Sequence, residues 1–323
     1  MGVVIIIDFS YSYCMCQKQT HESGFAHLFL IIIVLAVVAG VGFAGFNVYK
    51  SKDKSSQSSQ PTSSESKNSD PVKWAFNEKE LQWFTQSGKP TKCKNPFIFD
   101  QTPVDIAQVT SLLMPGSYRG YNYKPHGGFR IDNSPDGKVE VKMPIDATLV
   151  SLTRYYEGNP STLQYLLTFE TDCGIAFRFD HLYTLAPAFQ KIADTTPEPK
   201  KDDTRTDPNL PFARTKFKSG DVVATAIGFP ATKNFGFDFG VYDYRSRNEI
   251  SKNSKWAGIH NQYQSHEWFA SCWFGMFPSN DANKIKALGK VVVNPSKPNI
   301  ISDLCSEAPY NTLDFNNGQP TDS

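Results

Sequence analysis

A mainly-β domain, carried behind one membrane-spanning helix and a flexible tether, is what the sequence predicts. Three observations predict it. Short runs rich in aromatic and β-branched residues recur beyond residue 138, each bounded by Gly, Pro, Asn or Asp. An uncharged apolar run, Leu28 to Phe46, precedes them. Between the two lies a serine-rich tract with no large apolar side chain.

Taken in order, residues 1–24 read as a short N-terminal tail, with Met15 as an alternative start. Residues 25–49 read as a transmembrane helix around LFLIIIVLAVVAGVGFAGF. A stretch of ~20 apolar residues spans the hydrocarbon layer, whereas the core of a signal peptide is shorter and ends at a small-residue cleavage site. The run instead passes into Asn47, Tyr49, Lys50, Lys52 and Lys54, so it reads as a retained signal-anchor contacting the lipid bilayer through residues 28–46. Those lysines, taken literally, would put the C-terminus inside. The folded mass and four cysteines after a single span favour the opposite, a single-pass membrane protein with its C-terminal domain outside.

Residues 50–72 include SKDKSSQSSQPTSSESKNSD, which cannot bury enough surface to offset the entropy of ordering. This is a tether, and it implies a neighbouring wall layer or envelope partner. Residues 73–323 are long enough for one large domain with a sizeable core. A net charge of +1 leaves no electrostatic footprint for nucleic acid, and 24 Phe, 14 Tyr and 5 Trp favour strands.

Within that domain, residues 138–153 read as two strands around Pro144. The runs 162–170 and 173–182 form a hairpin through the Thr171-Asp172-Cys173-Gly174 turn. Strands follow at 220–228 and 235–243. Leu185 to Asp194 and Asn280 to Leu288 read as short helices, and Thr195 to Leu210 as a Pro- and charge-rich surface insertion. Cys93, Cys173, Cys272 and Cys305 allow three pairings. Cys93 with Cys305 would staple the ends of the domain, leaving Cys173 with Cys272; four free thiols is the competing reading.

The densest concentration of site-like residues is Tyr118 to Asp132, YRGYNYKPHGGFRID. Its His126-Gly127-Gly128 core lets backbone pass close to a partner while an imidazole points at it. Tyr118, Tyr121 and Tyr123 with Lys124 are candidates to line a groove for peptide or sugar. His260 and His266 flank a polar stretch near Glu267 and read as a surface loop, with a metal- or substrate-contacting loop as the alternative. Ser271-Cys272-Trp273-Phe274 lacks the partners of a nucleophile and reads as a packed or bridged cysteine.

Three segments carry a family resemblance: His126-Gly127-Gly128-Phe129-Arg130, Phe179-Asp180-His181-Leu182, and Asn234-Phe235-Gly236-Phe237-Asp238-Phe239-Gly240. With Pro144-Ile145-Asp146-Ala147 and Ser219-Gly220-Asp221-Val222-Val223 between them, residues 118–243 resemble the lysostaphin-type (LytM-like) zinc endopeptidases that cut peptidoglycan cross-bridges. The resemblance implies an antiparallel β-sheet or sandwich groove. It places His126 at the first zinc ligand, Asp238 at the third and His181 at the catalytic His-Leu position.

The chain departs from the pattern at Arg130, where the family has a ligating Asp, and at Gly236, where it has a His. A guanidinium cannot ligate a cation. These changes suggest an Arg130–Asp238 ion pair in place of the metal, and hence no cofactor. If the site is instead catalytic, zinc is held by His126, Asp132 and Asp238, with His181 assisting. Three functions follow: a non-hydrolytic domain that binds or organises peptidoglycan or an envelope partner, an active zinc endopeptidase, or an adhesion and assembly module.

Overall fold

A computed structural model describes residues 71–119, 122–197, 199, 214–290 and 302–305. They belong to a unit running from Asn68 to Ser323. The predicted tail, the apolar run 28–46 and nearly all of the tether lie outside the described residues, as do Tyr121 and most of the 195–210 insertion. Among the described residues no helix is long and apolar enough to cross a membrane.

Strands dominate, as predicted. They are β1 (Lys73–Asn77), β2 (Gln82–Ser87), β3 (Ser111–Leu113), β4 (Ser117–Arg119), β5 (Asn122–Lys124), β6 (Gly127–Arg130), β7 (Lys138–Lys142), β8 (Ala147–Glu157), β9 (Thr162–Glu170), β10 (Ile175–Leu185), β11 (Thr215–Phe217), β12 (Val222–Ile227) and β13 (Gly236–Asp243). Among the described residues four short α-helices accompany them: α1 (Pro187–Ala193), α2 (Ser254–Ile259), α3 (Gln264–Glu267) and α4 (Ser279–Ala287). The strand pair around Pro144, the 162–182 hairpin and helices α1 and α4 stand where the sequence put them.

One nine-stranded sheet, antiparallel at each strand pair, runs β11-β8-β9-β10-β13-β6-β3, and β12 joins β10 and carries β7 beyond it. The β1-β2 and β4-β5 hairpins form separate two-stranded sheets. Side-chain alternation gives the large sheet two unlike faces. Phe177 and Phe179 of β10, Phe237, Phe239 and Val241 of β13, and Phe129 of β6 all enter one core. Trp273 and Phe277 pack into the same core, with ring centroids 4.8 Å for Phe129–Trp273 and 5.3 Å for Phe239–Trp273. Each such ring stabilises the fold by about 1.5–3 kcal/mol through burial. The intervening residues, Arg178 and Asp180 on β10 and Asp238 and Gly240 on β13, therefore share the opposite face. That face holds the site.

The cysteine pairing differs from the expected one: the bridges are Cys93–Cys173 and Cys272–Cys305. Thr91 donates its backbone N–H to the Asp172 carbonyl (3.0 Å), which lays the segment before Cys93 along the 171–174 turn. Residues 302–305 return to the root of the β4-β5 hairpin, where the Asp303 N–H meets the Gly116 carbonyl at 2.8 Å. The segments that meet are thus decided by loop paths rather than by the chain ends.

Candidate functional site

Asp180 of β10 and Asp238 of β13 are register partners across the sheet. Beyond that rung β10 leaves β13 and pairs with β12, Leu182 opposite Ile227. His181 sits at this switch, in an irregularity of the β9–β10 register, with φ of 60°. A left-handed backbone is costly for a residue with a Cβ. Here it turns the imidazole back to the face where the two carboxylates stand. Its carbonyl accepts from the Gly228 N–H (2.8 Å), fixing the turn.

Three of the residues drawn from the family resemblance come together. His126 Nε2 lies 2.9 Å from Asp238 Oδ2, and His181 Nε2 lies 3.8 Å from the same oxygen. Gly240 makes the first contact possible, because a Cβ there would stand 2.8 Å from the His126 Cβ. Gly128, opposite Asp238 in the register, leaves room for the carboxylate in the same way. His126 is 6 % exposed and Asp238 7 %.

Burial, followed by the charge of Arg178, lowers the His126 pKa to about 4 despite Asp238, so the imidazole is neutral near pH 7. Burial raises the Asp238 carboxyl, but the contact and hydrogen bond of His126, with Arg119 and His181, outweigh it and hold the group well below the usual carboxylate range. An ionised carboxylate only accepts, so His126 donates through Nε2–H and carries its lone pair on Nδ1. Among the described residues that buried nitrogen has no hydrogen-bond partner.

Arg119, Arg178, Tyr155 and Glu157, which the sequence did not single out, complete the site with the predicted Lys124. Arg119 of β4 places NH2 3.8 Å from Asp238 Oδ1 and donates to the Met114 and His126 carbonyls at 3.0 and 3.2 Å. Arg178 pairs with Asp180, which also accepts from the Tyr155 hydroxyl and the His181 N–H. The Tyr155 hydroxyl lies 3.2 Å from His181 Nδ1, and the half-exposed Glu157 carboxylate lies 3.8 Å from that nitrogen. Lys124 of β5 is coupled to the same group: burial lowers its pKa and Asp238 works against that. The alternation Phe177-Arg178-Phe179-Asp180 carried a signal for Arg178, since it puts both charges on one strand face. Arg119 gave none, because its reach depends on where the hairpin folds.

Other expectations require correction. Among the described residues Arg130 makes no ion pair with Asp238. Arg130 stands opposite Gly236, whereas Gly128 stands opposite Asp238, and Asp132, two residues past Arg130 and beyond the strand, is nearer. Arg130 pairs with Asp132 and donates to Asn234 Oδ1 at 2.7 Å. Asp132 also accepts from the Thr110 hydroxyl (2.9 Å) and is well exposed, so it is not a late third ligand beside His126.

Tyr118 and Tyr123, predicted to line a groove, pack against other aromatic rings. They pack on His260, whose ring lies 4.2 Å from that of Tyr123 and stacks on Trp256 at 4.0 Å. His260 and Glu267, expected in a surface loop, are buried and joined at 2.8 Å.

The atoms of Asp180, His181 and Asp238 that could ligate a metal lie within 4.8 Å of one another, so they would have to draw closer to share one ion. Their surroundings fit a zinc ion poorly. Each carboxylate already faces an arginine, Arg178 at Asp180 and Arg119 at Asp238. The two acids and two arginines cancel, so a divalent ion would add uncompensated charge to a buried cluster. No family model, no curated protein and no solved structure matches this chain.

Proposed function

We propose that this is a membrane-anchored cell-envelope protein whose lysostaphin-type, peptidase-like domain binds or organises peptidoglycan or an envelope partner without hydrolysing it. The observation that carries this reading is the charge balance around Asp238. His126, His181 and Asp238, far apart in sequence, meet in one cluster. Where a hydrolytic centre would hold zinc by three donors and keep one position for water, guanidinium groups face the carboxylates.

Residues 28–46 anchor the chain in the lipid bilayer, and 50–72 let the domain reach a layer beyond it. The two disulfides support an oxidising compartment, and with it the orientation that puts the domain outside. A second reading, an active zinc endopeptidase, rests on the close grouping of Asp180, His181 and Asp238.

Full-length protein in detergent, assayed for bound zinc and mixed with isolated peptidoglycan sacculi, separates the two. The expected result is co-sedimentation with sacculi, without stoichiometric zinc and without release of peptides. Peptide release abolished by chelation would replace this reading with the endopeptidase. Failure to sediment, with no release, would leave an adhesion or assembly module.

A further inference from the structure

The hairpin β4-β5 is not part of the large sheet, yet it delivers one side chain into the site. Arg119 is clamped by two backbone carbonyls, those of Met114 and His126, at 3.0 and 3.2 Å. Its guanidinium is nine-tenths buried and reaches Asp238 Oδ1 at 3.8 Å. A planar group held at both amino nitrogens has little freedom to withdraw, and arginine does not give up its charge in a protein. A fixed cation therefore stands against the one carboxylate that both histidines also touch.

Remove that charge and the balance changes. Arg178 still answers Asp180, with which it pairs directly. Asp238 would keep neutral His126 and the imidazole of His181, with the charges of Arg178 and Lys124 acting on it from farther away. The potential ligand atoms of Asp180, His181 and Asp238 already lie within 4.8 Å of one another, a small side-chain shift from sharing one ion. Carboxylate and imidazole together suit zinc.

We infer that Arg119 is the residue that closes this site to divalent cations, and that without it Asp180, His181 and Asp238 form a zinc site. The inference rests on the non-hydrolytic reading above. It assigns Arg119 a positioning and charge role, with the hairpin as the element that delivers it. The ligand set differs from the one the family resemblance implies, since it draws on Asp180 and not on the position of Arg130.

The test measures zinc per chain after equilibration with excess zinc and gel filtration, with the visible absorption of Co2+ as a second readout. Melting curves establish that each variant is folded. Wild type and Arg119→Lys should carry no stoichiometric metal. Arg119→Ala and Arg119→Gln should each bind one ion per chain, and adding Asp238→Asn should abolish it. Folded Ala and Gln variants that stay metal-free would overturn the inference while leaving the non-hydrolytic reading intact. Stoichiometric zinc in the wild type, lost with Asp238→Asn, would overturn both. Were both neutral variants unable to fold, Arg119 would be a folding residue and the inference would fall.

Discussion

Asp180 and Asp238 stand opposite each other on adjacent strands, and each is answered by its own arginine. Like charges directly across a sheet destabilise it. Here the repulsion is offset from two directions, by Arg178 on the same strand as Asp180 and by Arg119 on a separate hairpin.

Breaking one half of this arrangement should be costly. Asp238→Asn leaves Arg119 without its carboxylate in a buried setting, and a loss of about 3 kcal/mol is expected. Arg130→Ala removes only contacts at the sheet margin and should cost less than about 1 kcal/mol. Urea unfolding of the two variants checks the ranking. Equal losses would mean that Arg130, not Arg119, is the relevant cation.

Acid should weaken the fold through His126. The charged groups facing it are Asp238, Arg178 and Arg119. Its folded pKa of about 4 lies below the ~6.5 of an unfolded histidine. The unfolded chain therefore binds more protons in this window, and stability falls as pH drops from about 6.5 toward 4. The contribution of His126 is about 3 kcal/mol at most. Asp238 stays ionised there, because its carboxyl titrates lower still. His126→Gln should flatten the dependence of the melting temperature between pH 7 and 4; an unchanged slope would place the titrating group elsewhere.

The left-handed backbone at His181 predicts an inverted order of substitutions. Glycine adopts φ of 60° without the Cβ penalty. His181→Gly should therefore be more stable than His181→Ala by roughly 1 kcal/mol, the reverse of the order inside a regular strand. Thermal melts of the two variants decide it.

A methyl group at position 240 should act on His126 from a distance of one contact. With only 2.8 Å available between the new Cβ and that of His126, Gly240→Ala must displace the imidazole or the strand. Overpacking of this kind costs about 1–3 kcal/mol. Histidine ring resonances in NMR spectra report whether the His126–Asp238 hydrogen bond survives; unchanged resonances would argue against so close an approach.

The bridges can be read directly. Peptide mapping without reductant should recover Cys93 joined to Cys173 and Cys272 joined to Cys305. Recovery of a Cys93–Cys305 peptide would restore the pairing expected from the sequence. Loss of a native bridge typically costs about 2–5 kcal/mol.

The strands were legible because their pattern is local. The run FRFDHL alternates, so Phe177 and Phe179 face the core while Arg178 and Asp180 face away. The histidines and Asp238 were legible from segment order. What stayed hidden depends on loops that bring distant residues together. Arg119 and Arg130 sit in the same glycine- and tyrosine-rich stretch, and nothing local says which one reaches Asp238. The sheet register decides it by setting Gly128, not Arg130, opposite that acid. Tyr118 and Tyr123 looked like groove residues for want of any sign that Trp256 and His260 would cover them. The cysteine pairing was hidden for the same reason.

The Cys272–Cys305 bridge also decides how the domain carries load. Ser302 and Asp303 rest on the root of the Arg119 hairpin, through the Pro115 carbonyl and the Gly116 carbonyl at 2.5 and 2.8 Å. Two hydrogen bonds would peel under tension applied to the chain beyond residue 305. The disulfide diverts that pull to Cys272, next to Ser271, whose N–H is tied at 2.9 Å to the Val241 carbonyl of β13. Tension from the C-terminal side thus enters the main sheet and bypasses the hairpin. Arg119 keeps its place while the far end of the chain is tugged.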